Sequence, residues 1–109
     1  MMNFIDLNSL AEEILEEFLD SDVCNYYYIP NYAPKVVFVD DLSAYGFLNI
    51  TTIKNKPIIL IEINENLCDK EIKKTLKHEL LHYILFLNDA QWRDDEDDFI
   101  YWASMLDVI

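Results

Sequence analysis

A chain of 109 residues with a single glycine and a net charge of −13 can build one packed domain and is too short for two. Hydrophobic residues make up 52% of it, enough to fill a core and to exclude a disordered chain. The negative charge repels nucleic-acid phosphate and anionic membrane surfaces, so neither is an expected direct partner.

The first predicted element is a helix over residues 4 to 20. Leu7, Leu10, Ala11, Ile14, Leu15 and Phe18 recur at three- and four-residue steps, and Glu12, Glu13, Glu16 and Glu17 take the opposite face. This stretch has neither the basic n-region nor the continuous apolar run of a signal peptide. Pro30 and Pro34 mark a loop. "KVVFVDD" (35 to 41) reads as a short strand. "YGFLNITTI" and "PIILIEIN" read as a hairpin turning at Lys54 to Lys56. Gly46, early in the first of these strands, implies a bulge or a close backbone approach. Residues 58 to 63 are taken as an edge strand.

A long helix is predicted over residues 69 to 88, with Asp69 as its N-cap. Ile72, Leu76, Leu80, Tyr83, Ile84 and Leu87 form one stripe, which should face the sheet. His78 and His82 fall almost opposite, beside Thr75, Leu85 and Phe86. A helix apolar on both sides is buried on both sides, so the histidines should line an interior cleft. A last helix, residues 95 to 106, packs through Phe99, Trp102, Ala103 and Leu106. The order α-β-β-β-α-α defines an α+β domain spanning residues 1 to 109. Cys24 and Cys68 read as free thiols of a reducing compartment, as small core residues. No apolar run approaches about 18 residues, so a cytoplasmic monomer outside the membrane is expected.

The chemistry concentrates in "KHELLHYILFLNDAQWRDDEDDF", residues 77 to 99. Both histidines of the chain stand here, four residues apart, with Glu79 after the first. One helical turn sets two such rings side by side, where their nitrogens can reach one Zn²⁺. The glutamate lies about 100° around the helix, close enough to take a proton from water at the metal. With no third histidine, a carboxylate must complete the ligand set, and "RDDEDDF" offers five. The plain alternative is two exposed helical histidines and a solvated, acidic helix start. For most of those five carboxylates the plain alternative holds.

"SAYGFLNI", "IILIEIN" and "TLKHELLHYILFL" together resemble the corresponding segments of SprT-like metallopeptidases, the small zincins related to the protease domain of Spartan. The resemblance implies a minimal zincin-like domain with an N-terminal helix, a small three-stranded sheet, an HExxH helix and a C-terminal helix. It also implies a zinc metalloendopeptidase acting on protein or peptide substrates, with His78 and His82 as ligands and Glu79 as catalytic base. The family places a third ligand, usually histidine, about a dozen residues past the second. In this chain that position is Asp94, followed by Phe99. The ImmA/IrrE-like peptidases are a second similar group, and their ligand position falls on Asp98. Asp94 is the first choice and Asp98 the second, with Asp95 and Glu96 open if the loop differs by a residue. The Spartan link to DNA–protein crosslinks does not carry over to so acidic a chain. The small size suits a protein of a phage or mobile element. Two other readings compete: a non-enzymatic acidic inhibitor that mimics nucleic acid, and an inactive zincin used as a binding module. Beside the acidic run, Trp92, Phe99 and Trp102 are expected to be core anchors rather than a substrate platform.

Overall fold

A computed structural model describes residues 5 to 108. Phe4, in the predicted first helix, lies outside them. The first helix, α1, spans Leu7–Leu19. Asp6 starts it by accepting the N–H groups of Asn8 (3.1 Å) and Ser9 (3.3 Å). Leu7, Ala11, Ile14, Leu15 and Phe18 are buried, as their spacing predicts. A 3-10 turn, Asp22–Asn25, and an irregular stretch through both prolines lead to β1, Lys35–Val39.

β2 (Gly46–Ile53) and β3 (Lys56–Asn64) form the predicted hairpin. Lys54 and Asn55 turn it with φ of 51° and 65°. Two left-handed residues give a two-residue turn the twist its strands need. The sheet order is β1-β3-β2, with β1 parallel and β2 antiparallel to β3. Residues 58 to 63 are therefore not the edge: β2 pairs with all of them, and β1 flanks them from Leu60 onward. Their near-continuous apolar run is what a central strand needs, with Ile61 and Ile63 fully buried. The open edge belongs to β2. Asn64 N–H donates to Tyr45 C=O at 2.9 Å, so in antiparallel alternation the backbone groups of Gly46 and Leu48 face away from β3.

α2 spans Asp69–Leu87 and packs on α1, β2 and β3. Its N-cap is Cys68 rather than Asp69, because Glu71 reaches back to accept the Cys68 N–H at 3.2 Å. Asp69 becomes the first helical residue, where its charge still suits the helix dipole. Ile72, Leu76, Leu80, Tyr83 and Ile84 are buried, and so are Thr75, His82 and Leu85 on the other side. Leu87, in the last turn, is 39% exposed and leaves the stripe. α3, Asp97–Met105, starts two residues later than predicted, capped by Glu96, and buries Phe99, Trp102 and Ala103. The fold is α+β, as the pattern predicts. Neither free cysteine is a core residue: Cys68 caps α2 in the open, and Cys24 is half-buried with its thiol on Leu19 C=O. Among the described residues no helix is long and apolar enough to cross a membrane.

Candidate metal centre

α2 fixes His78 and His82 one turn apart, on the side of the helix covered by α3. His78 Nδ1 meets Val108 C=O, and His82 Nδ1 meets Trp92 C=O, each at 2.5 Å. A carbonyl can only accept, so both Nδ1 atoms carry a proton. In the neutral ring each Nε2 then presents a bare lone pair. The two Nε2 atoms face each other at 3.2 Å.

Asp94, in the loop between α2 and α3, joins them. Its Oδ1 lies 2.9 Å from His82 Nε2 and 3.4 Å from His78 Nε2. Three acceptor atoms thus converge with no donor among them while the imidazoles are neutral. Such a set of acceptor atoms can hold a cation. Burial pushes the His82 pKa down, which keeps its ring neutral and available as a ligand; the Trp92 bond and Asp94 oppose this shift. His78, Glu79 and His82 together offer ligand atoms within 4.8 Å of one another, close enough to hold a metal ion.

Glu79 stands slightly apart, with Oε2 4.0 Å from His78 Nε2. It is buried, and that burial pushes its pKa up to about 7; Asp94 adds to the rise and His78 opposes it. A carboxyl near neutrality can both take and return a proton at ordinary pH.

Asp98 is engaged elsewhere. Its Oδ2 accepts the Gln91 N–H at 3.1 Å, and its own N–H donates to Gln91 Oε1 at 3.3 Å. This reciprocal pair closes the loop that carries Trp92 and Asp94. Asp95 is exposed in the same loop, and Glu96 accepts the Arg93 N–H at 3.0 Å as a second brace.

Phe99 and Trp102 are buried core anchors, but Phe99 has a further role. Its ring stacks on His82 (centroids 3.7 Å apart, planes at 9°) and meets His78 edge-on at 4.9 Å. Trp92 packs its ring against Phe86 while its carbonyl orients His82.

Gly46 completes the surroundings by close approach rather than by a bulge. A Cβ there would meet Thr75 Cγ2 at 2.6 Å and Glu79 Cγ at 3.3 Å. Only a bare backbone lets β2 lie this near the glutamate. Two cavity lobes, of about 460 and 390 Å³, share Gly46, Glu79 and Asp94 and form one groove past the histidines. Sequence reasoning had no signal for the Val108 and Trp92 carbonyls, because backbone acceptors carry no residue identity.

No family model matches the chain, and no curated protein or solved structure matches it either.

Proposed function

We propose that this chain is a minimal zincin-like zinc metallopeptidase. His78, His82 and Asp94 are the zinc ligands, and Glu79 is the general base. The observation that carries the reading is the triangle of acceptor atoms at 2.9, 3.2 and 3.4 Å. A tetrahedral ion with bonds of about 2.0–2.1 Å holds its donors about 3.3 Å apart. Two imidazoles and one carboxylate are also a donor set that catalytic zinc takes. When bound, zinc supplies a Lewis acid that acidifies water and polarises a peptide carbonyl.

Glu79 takes the proton from the attacking water and returns it to the leaving amine. The Val108 and Trp92 carbonyls hold both imidazoles in the tautomer that leaves Nε2 free. Phe99 fixes the plane of His82. The open edge of β2, at Gly46 and Leu48, offers backbone groups to an extended protein or peptide substrate. Asp94 at the histidine pair favours the SprT-like register over the ImmA/IrrE-like one. We place this activity in the cytoplasm, on a monomer.

The test combines metal content with cleavage of a quenched peptide library. Wild type should carry one zinc and cleave. Glu79→Gln should keep the zinc and lose cleavage. Zinc without any cleavage by wild type would leave a binding module, and absence of zinc would favour the acidic inhibitor.

A further inference from the structure

Four of the eight cationic residues of this acidic chain, Lys70, Lys73, Lys74 and Lys77, sit on the first half of α2. Lys73 and Lys77 reach Glu17 on α1, at 3.3 and 3.7 Å. Lys70 and Lys74 form no ion pair among the described residues. They stand four residues apart, a like-charge spacing that destabilises a helix. Asp69 and Asp107 line the same surface cavity, yet neither comes within ion-pair distance of them.

Lys74 also belongs to the substrate groove. It lines the first lobe with Tyr45, Glu71, His78 and Glu79. Glu71 remains an anion of this lobe, its carboxylate accepting the Cys68 N–H at 3.2 Å, but it does not come within ion-pair distance of Lys74. The other lobe differs. Its cation, Arg93, is held by Glu96 at 3.6 Å and lies over the Trp92 ring at 4.7 Å. One end of the groove therefore presents an engaged cation, and the other an uncommitted one.

We propose that Lys74, with Lys70 behind it, forms a carboxylate-binding subsite of this groove, so that the preferred substrate carries an acidic group close to the bond being cleaved. This inference rests on the peptidase reading and deepens it. One helical turn puts Lys74 about 6 Å along the axis from His78. An extended peptide advances about 3.3 Å per residue. A carboxylate one to three residues from the scissile bond is within reach of the lysine arm. An acidic side chain and a free C-terminus share this chemistry.

Short peptidyl hydroxamates separate the questions, since the hydroxamate fixes register at the metal and binding is read without turnover. The probes carry Glu or Gln one, two or three residues from the hydroxamate, on either side of it, and end in a free acid or an amide. With zinc-loaded wild type, a carboxylate at one position should tighten binding about fivefold. The gain should fade at high salt. It should reverse in Lys74→Glu and persist in Lys54→Gln, at the distant hairpin turn. The Glu–Gln pairs identify a side-chain carboxylate, and the acid–amide pairs a terminal one. Zinc-dependent binding without any carboxylate preference overturns the subsite alone. No zinc-dependent binding of any hydroxamate overturns the peptidase reading and the subsite with it.

Discussion

The turns after α2 and α3 share one backbone device and load it differently. Asp89 and Asp107 both take left-handed φ, 55° and 56°. After α2, Ala90 N–H reaches Leu85 C=O at 2.9 Å and Asp89 N–H reaches Phe86 C=O at 3.2 Å. After α3, Val108 reaches Ala103 at 2.9 Å and Asp107 reaches Ser104 at 3.2 Å. Each pair of bonds satisfies carbonyls left open at a helix end. The first turn feeds a loop that brings both the Trp92 carbonyl and the Asp94 carboxylate to His82, braced by Gln91 and Asp98. The second delivers a single carbonyl, from Val108 to His78. One histidine is held by a braced loop that also brings a carboxylate to it. The other is held from a position 30 residues away by the turn that ends α3. The two supports should therefore fail differently.

The largest expected effect comes from removing a proposed ligand, which cuts through both supports. His78→Ala and His82→Ala should each weaken zinc by more than about 100-fold in competition with a chelator, beyond what second-shell changes cost. Asp94→Asn should follow, since an amide oxygen is a weaker donor. Asp98→Asn loosens only the brace and should stay within about tenfold of wild type. Tight binding by Asp94→Asn together with loss in Asp98→Asn would make the ImmA/IrrE-like register the correct one.

Phe99 and Trp102 sharpen the contrast between packing and site. Trp102 packs among Tyr26, Tyr27 and Tyr101, away from the histidines. Phe99→Ala and Trp102→Ala should each cost about 3–5 kcal/mol of stability, read from denaturant unfolding. Only the loss of Phe99 should also weaken zinc. Phe99→Leu keeps most of the core volume but not the stacked face, so it reports the site effect without unfolding the domain. Zinc affinity unchanged in Phe99→Leu would reduce this residue to a core anchor.

Periodicity carried the helices and strands because burial is repeated along each of them. It placed Ile72, Leu76, Leu80 and Ile84 correctly, and it gave His78 and His82 a shared face. It could not rank strands across the sheet, since pairing partners leave no local mark; hence residues 58 to 63 moved from edge to centre. The SprT-like resemblance brought Asp94 forward as a candidate ligand and the ImmA/IrrE-like one Asp98, yet neither could say that Asp98 would be engaged by Gln91. The Val108 carbonyl was out of reach altogether. Its position depends on a left-handed aspartate, a conformation that this residue type tolerates without announcing.

The smallest expected effects test the two turns themselves. A non-glycine residue in the left-handed region is strained by about 1–2 kcal/mol, less for aspartate than for a branched side chain. Glycine relieves that strain but adds freedom to the unfolded chain. Asp89→Gly and Asp107→Gly should thus shift stability by no more than about 1 kcal/mol and leave zinc affinity unchanged. Valine reverses the logic, because its branched Cβ resists positive φ. Asp89→Val should cost about 1–2 kcal/mol and spare the metal, since three residues and the Gln91–Asp98 brace separate it from the Trp92 carbonyl. Asp107→Val should cost a similar amount and also weaken zinc, because the very next carbonyl is the one that orients His78. Zinc titration of both variants, below their melting points, reads the difference. Equal zinc affinity in the two would mean that the Val108 carbonyl does not hold His78 in place, and that the support from α3 is packing by Phe99 alone.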